Sequence, residues 1–184
     1  MPERATFLFD GPNFYKNLKT SGLERGHLNL IKLAQNFAGP RVIGDVVFFT
    51  SPTDSQTDAQ NYINQQRFFA ALQGSGVILK LGKLVHRSTE CQHCHNKHYY
   101  KTEKSVDVQI AMELVLGCVE DKWDVAYLVT CDADLIPAIK YVRSKGKKVF
   151  LLLPEKAPCH SVGIECNATI PIKQIHLDNA QAHT

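Results

Sequence analysis

The stretch Leu128-Val129-Thr130-Cys131-Asp132-Ala133-Asp134-Leu135-Ile136-Pro137 decides the fold. Residues 126–130 make a short apolar run, the mark of a buried strand. Residues 135–144 space their apolar side chains as a helix does. Two aspartates lie at the junction. A strand that empties into an acidic turn and then a helix is one unit of a parallel sheet, whose ligands bind beyond the carboxyl ends of the strands.

The same alternation extends outward. Upstream, residues 5–9 read as a buried strand and 29–38 as a helix capped by Asn29. Residues 42–50 read as a strand, and 54–72 as a long helix with Ile63, Phe69 and Leu72 among its apolar positions. Residues 77–85 form a further strand and 106–118 a strongly amphipathic helix. Downstream, 149–153 is a strand. The tail from about 155 is expected to hold a small helix within 164–172 and a short last strand at 175–177. Such alternation predicts an α/β fold with a mostly parallel central sheet. The 184 residues suffice for one well-buried core. With no repeat and no linker, residues 1–184 are expected to form a single domain.

Apolar residues make up 44% of the chain, and no window approaches the length of a membrane helix. The start, Met1-Pro2-Glu3-Arg4-Ala5, lacks the pattern of a secretory leader, so a cytoplasmic protein is expected. The net charge of +3 permits a polyanionic partner without demanding one. No Gly-x-x-x-x-Gly-Lys-Ser/Thr run, Gly-x-Gly-x-x-Gly fingerprint or Gly-x-Ser-x-Gly elbow occurs, which argues against P-loop, dinucleotide and serine-hydrolase chemistry.

The acids carry the functional signal. Asp10 closes the first strand, and Asp132 follows the strand at 126–130. If those strands are neighbours, the two carboxylates converge. Asp134 opens the next helix, where the dipole favours negative charge. Asp107 shares a helical stripe with Ile110, Ala111, Leu114 and Cys118, so it is expected to face the sheet, with Lys104 one turn away to pair with it. Crowded carboxylates repel one another, and a hard divalent ion, Mg²⁺ or Mn²⁺, relieves that repulsion. Each acid also has a plainer reading: Asp10 as a turn residue, Asp134 as a helix cap, Asp107 as a first-turn acid.

Phe7-Leu8-Phe9-Asp10-Gly11-Pro12-Asn13, Glu103-Lys104-Ser105-Val106-Asp107-Val108, residues 128–137 and Gly146-Lys147-Lys148-Val149 together resemble the NYN domain. That domain is a branch of the PIN-like nuclease superfamily, and the likeness within it is to the bacterial LabA-like group. The resemblance spans about residues 5–155. It implies a three-layer α/β/α sandwich and a Mg²⁺- or Mn²⁺-dependent ribonuclease acting on RNA, single-stranded in this reading. It also implies a catalytic metal set of Asp10, Asp107, Asp132 and Asp134. Asp10 and Asp132 are expected as direct ligands, with Asp107 and Asp134 completing the shell. Asn13, Lys104 and Thr130 are expected to bind substrate. Lys101, Lys140 and Arg143 are further candidates for phosphate contact, and Tyr99 and Tyr100 for base stacking. This sequence departs from the family's Ser-Gly-Asp-Ser-Asp-Phe pattern at Thr130, Cys131, Ala133 and Leu135. A hydroxyl between the last two acids is therefore missing.

Cys91-Gln92-His93-Cys94-His95 lies in a polar insertion at about 86–100. Cys91, Cys94, His95 and His98 could form a structural zinc site, although Cys-x-x-Cys is only half of one. The plainer reading is an exposed loop that carries thiols. Two functional rivals to the ribonuclease remain open: a non-catalytic metal- or RNA-binding regulatory module, and a small-molecule phosphoesterase.

Overall fold

The computed structural model describes residues 1–24, 27–54, 58–157 and 159–182. Strand β1 (Arg4–Asp10) leads into α1 (Gly11–Thr20), followed by α2 (Leu30–Ala38) and β2 (Val42–Thr50). Next come α3 (Ala59–Gly74), β3 (Ile78–Leu81), β4 (Lys83–Glu90) and β5 (Lys97–Lys104). The chain continues through α4 (Val106–Val119), β6 (Val125–Val129), a 3-10 turn (Ala133–Leu135), α5 (Ile136–Ser144) and β7 (Lys148–Pro154). It ends with α6 (His160–Glu165), β8 (Ala168–Ile172) and α7 (Gln174–Asn179).

Six strands form one sheet in the order β3-β2-β1-β6-β7-β8, and every pair is parallel. The order reverses between β1 and β6, which makes their carboxyl ends the switch point of the sheet. Side chains alternate across it as the pleat requires. Phe7, Phe9, Phe48 and Tyr127 face Phe14, Leu18, Leu30 and Leu33 of α1 and α2. Leu8, Val47, Phe49 and Leu128 face Ile110, Leu114, Ile139 and Val142 of α4 and α5. Two apolar layers on one parallel sheet give the expected α/β/α arrangement. Phe7 and Tyr127 pair in register across β1 and β6, their rings stacked at 4.4 Å, so the two strands that carry the site are also packed together below it. No helix among the described residues is long and apolar enough to cross a membrane.

Four elements differ from expectation. Gly11-Pro12 reads as a turn, yet α1 starts there, with Asp10 as its N-cap and Pro12 in its first turn. Proline costs nothing at that position, because its missing N–H has no helical partner anyway. Helix α3 begins at Ala59 rather than at 54; residues 55–57 lie outside the described residues. Ile63 is 45% exposed, while Phe69 and Leu72 are buried. The strand expected over 77–85 breaks at Gly82 into β3 and β4. The polar insertion is an antiparallel β4–β5 hairpin with an eight-pair register from Lys83↔Lys104 to Glu90↔Lys97. In the tail, the strand is β8 and the last element is a helix, the reverse of the expected order. Pro171 is tolerated in β8 because that strand lies at the sheet edge.

Gly82 is where the hairpin leaves the sheet. Its N–H donates to the Thr50 carbonyl at 2.8 Å. A Cβ there would sit 2.7 Å from each of the Lys104 carbonyl oxygen, Ser51 Oγ and Val106 Cγ2. Gly82→Ala should therefore destabilise the fold by roughly 1–3 kcal/mol, the usual cost of overpacking. Urea unfolding would read this as a lower midpoint, and an unchanged midpoint would show that the crossing is loose.

Candidate metal centre at the switch point

Strands β1 and β6 deliver the site. Phe9 pairs with Val129, so the next residues, Asp10 and Thr130, emerge side by side. Asp10 is 5% exposed and Thr130 1%. The Thr130 hydroxyl donates to Asp10 Oδ2 at 2.7 Å and accepts the Asp132 N–H at 3.1 Å. One hydroxyl thus joins both acidic strand ends. The other oxygen of Asp10, Oδ1, accepts the Asn13 N–H at 3.2 Å, which caps α1.

Asn13 ties α1 to the opposite loop. Its Oδ1 accepts the Cys131 N–H at 3.2 Å and the Asn17 Nδ2 at 2.6 Å. Asn17 Nδ2 also reaches Cys131 Sγ at 3.3 Å. Asp132 in turn caps the 3-10 turn, its Oδ1 accepting the Asp134 N–H at 2.8 Å.

An open cavity of about 280 Å³ lies above these groups, walled by Asp10, Asn13, Lys16, Glu103, Asp107 and Asp132 with Pro12 and Val106. Four carboxylates therefore face one lysine. Burial pushes the Asp10 carboxyl up to about 6; the bonds from Thr130 and Asn13 oppose the shift, and the charges of Asp107 and Asp132 add to it. The Asp107 carboxyl is also raised, first by desolvation and then by Asp132, Glu103 and Asp134.

Asp10, Asp107 and Asp132 thus come together as expected. Asp134 is exposed and is not part of the cavity wall, although its charge reaches Asp107. Asp107 is not buried against the sheet. Ile110, Leu114 and Cys118 of its stripe are, but in the first turn of α4 it is Val106 that takes the buried position, and Asp107 beside it stays exposed to the cavity. Ser105, with φ of 77°, sets this entry in the left-handed region that few non-glycine residues adopt.

Lys104 lies on β5, opposite Lys83, and does not neutralise Asp107, whose charged neighbours are acidic. The cationic wall residue is Lys16, and Glu103 is a fourth acid; sequence reading missed both. Recognising Asp10 as a cap would have found Lys16, which lies on α1 one turn beyond Asn13. Lys140 pairs with Glu165 at 3.1 Å and Arg143 donates to the Glu165 carbonyl at 2.6 Å, so both serve the α5–α6 contact. Lys101 pairs with Asp54 at 2.9 Å. Tyr99 is 80% exposed and Tyr100 46%, so Tyr99 is the more open of the two stacking candidates.

The cavity offers only oxygen donors, which suit a hard divalent cation. The buried, elevated Asp10 beside two further carboxylates is the arrangement such an ion would relieve. Among the described residues no three His, Cys, Asp or Glu side chains are already closed into a ligand set. The same holds at the tip of the β4–β5 hairpin. There Cys91 and Cys94 are adjacent free thiols, while His95 Nδ1 meets Glu90 at 3.2 Å and His98 pairs with Thr89 along the ladder.

The NYN domain family model matches residues 4–172. Among solved structures, the fold is similar to that of a protein of unknown function from Vibrio parahaemolyticus, with a TM-score of 0.67 at 14% identity over 94% of each chain. No functionally curated protein matches.

The Asp10 shift has a consequence for stability. An ordinary aspartate titrates near 3.8, and Asp10 in the folded protein near 6. Between those values the folded state holds a proton that the unfolded state has lost. Stability from this group is therefore greatest below 3.8, falls as pH rises to about 6, and stays low above it. The loss is up to roughly 3 kcal/mol. Asp10→Asn should raise the melting temperature of metal-free protein at pH 7.5, with a smaller gain at pH 5. A variant equally destabilised at both pH values would contradict this electrostatic reading.

Proposed function

The chain belongs to the NYN domain family, of the PIN-like nuclease superfamily, and we propose that it is a divalent-metal-dependent ribonuclease of the LabA-like group. The observation that carries the proposal is the convergence of Asp10, Asp107 and Asp132 on one cavity at the sheet's switch point. A bound Mg²⁺ or Mn²⁺ would neutralise these acids, polarise a phosphodiester and lower the pKa of water.

Asp10 and Asp132 would hold the ion, since both are fixed by hydrogen bonds at strand ends. Thr130 orients Asp10 through its 2.7 Å bond. Asn13 keeps the Asp132 loop in place through the Cys131 N–H, and its position on the cavity wall lets it touch substrate. Asp107, exposed at the cavity and with raised proton affinity, accepts the proton of the attacking water at its carboxylate. Asp134 adds negative charge that keeps Asp107 basic. Lys16 meets a phosphate oxygen of the RNA. The exposed Tyr99 on the hairpin offers a stacking surface for the bases of a single strand.

A second reading is a metal-dependent RNA-binding module that does not cut. It is favoured by Ala133, which leaves no hydroxyl in the turn between Asp132 and Asp134.

One experiment separates the two readings: purified protein with Mn²⁺ and single-stranded RNA. Wild type should cut, and Asp132→Asn should lose at least about a hundredfold in rate, as expected when an electrostatic stabiliser is removed. Equal cleavage by both would mark the activity as a contaminant. Lys16→Ala should raise KM about fivefold with little change in kcat, the signature of lost uniform binding. A fall in kcat alone would move Lys16 from binding to the chemical step.

A further inference from the structure

A second and larger cavity, of about 920 Å³, lies on the other side of Pro12, which lines both. It is bordered along α3 by Asn61, Asn64, Phe68 and Leu72, which recur at helical spacing. Only Phe69 and Leu72 of that helix are buried, so its inner face is not filled by the protein. Half-buried Tyr15 of α1 continues this wall beside Phe68, and Phe48 of β2 lies buried behind them. The rings cluster edge-on, with Phe48 and Tyr15 at 5.7 Å and 6.0 Å from Phe68.

The chemistry of the walls differs from that of the acidic cavity. Among the described residues they carry no Asp, Glu, Lys or Arg. The part of a ligand that enters must therefore be neutral and largely apolar. The polar lining combines amides, among them Asn61 and Asn64, with the hydroxyls of Thr50 and Thr53 and the imidazole of His27. Asn61 gives its Nδ2 to Asp58, and Asn64 Oδ1 accepts Gln60 Nε2 at 3.1 Å. That leaves Asn61 Oδ1 and Asn64 Nδ2 as one acceptor and one donor. Gln65 is committed to the Thr53 N–H at 2.6 Å and the Ser51 carbonyl at 3.1 Å, which hold the rim loop.

We infer that this groove is a nucleobase subsite: it takes the base that flanks the phosphate held at the acidic cavity. This rests on the ribonuclease reading above. A planar, uncharged ring stacks on aromatic side chains, and amides read its edge. The shared Pro12 keeps the two cavities adjoining, so a nucleotide can place its phosphate with the acids and its base among the rings. The groove thereby sets which bases the protein prefers.

Binding is tested apart from cutting by using Asp107→Asn protein, which keeps Asp10 and Asp132, and labelled single-stranded homopolymers of A, C, G and U, read by fluorescence anisotropy in Mn²⁺. The groove should discriminate, with the tightest and weakest homopolymers at least about fivefold apart. Ala71→Trp, which fills the groove from an exposed position on α3, should weaken the preferred homopolymer about tenfold, in the range of one lost stacked base, and flatten the preference. Asn64→Leu, also exposed, should alter the order of preference with an unchanged melting temperature. The inference is overturned if all four bind alike, if none binds, or if both variants bind as their parent does. Failure of the ribonuclease reading shows separately, as absence of cleavage by wild type, and leaves this binding result standing.

Discussion

The Thr130 hydroxyl is the interaction on which the site depends. It donates to one acid and accepts from the backbone of another, across the pair of strands where the sheet reverses. Parallel strands end at one level, so any two neighbours present their next residues together. At a switch point the following helices leave toward opposite faces and a crevice opens between them. Here that geometry forces Asp10 and Asp132 into proximity. The neutral hydroxyl bridges the buried Asp10 carboxylate and the backbone of the more open Asp132. Burial first, and the charges of Asp107 and Asp132 after it, are recorded in the elevated Asp10 carboxyl. The protein thus holds a stressed acidic crevice that a divalent ion would relax.

Around that constraint the other parts have clear work. Asn13 and Asn17 clamp α1 to the Cys131 loop, so the two halves of the crevice move together. Helix α4 starts at the sheet's carboxyl end, with Val106 buried, and brings Asp107 in from the opposite layer. The hairpin before it adds Glu103 and places exposed tyrosines beyond the cavity. The aromatic groove on the other side of Pro12 complements the acids with neutral surface, and on our proposal the two cavities divide the charged and uncharged parts of a nucleotide.

Much of this was legible in the sequence. The short apolar runs located β1, β2, β6 and β7, and the acids that close two of them marked the crevice before any coordinates. Other parts were hidden for physical reasons. Gly11-Pro12 serves a turn and a helix start equally well, so α1 was unseen, and Lys16 with it. The β4–β5 strands are wet on both faces and show no alternation of hydropathy, so they read as loop. The stripe rule placed Asp107 against the sheet, but the buried face starts at Val106 and leaves Asp107, one residue on, open to the cavity. In the tail, residues 168–172 and 174–179 are segments too short for periodicity to tell strand from helix.

The central claim is that Asp10, Asp107 and Asp132 serve one ion. Anomalous diffraction from a crystal soaked in Mn²⁺ tests it directly. The account predicts a single strong peak in the 280 Å³ cavity, with carboxylate oxygens of Asp10 and Asp132 about 2.1 Å away, a distance typical of a small hard cation. A soaked crystal with no peak there, or with its ion only at the Cys91–Cys94 hairpin tip, would contradict it.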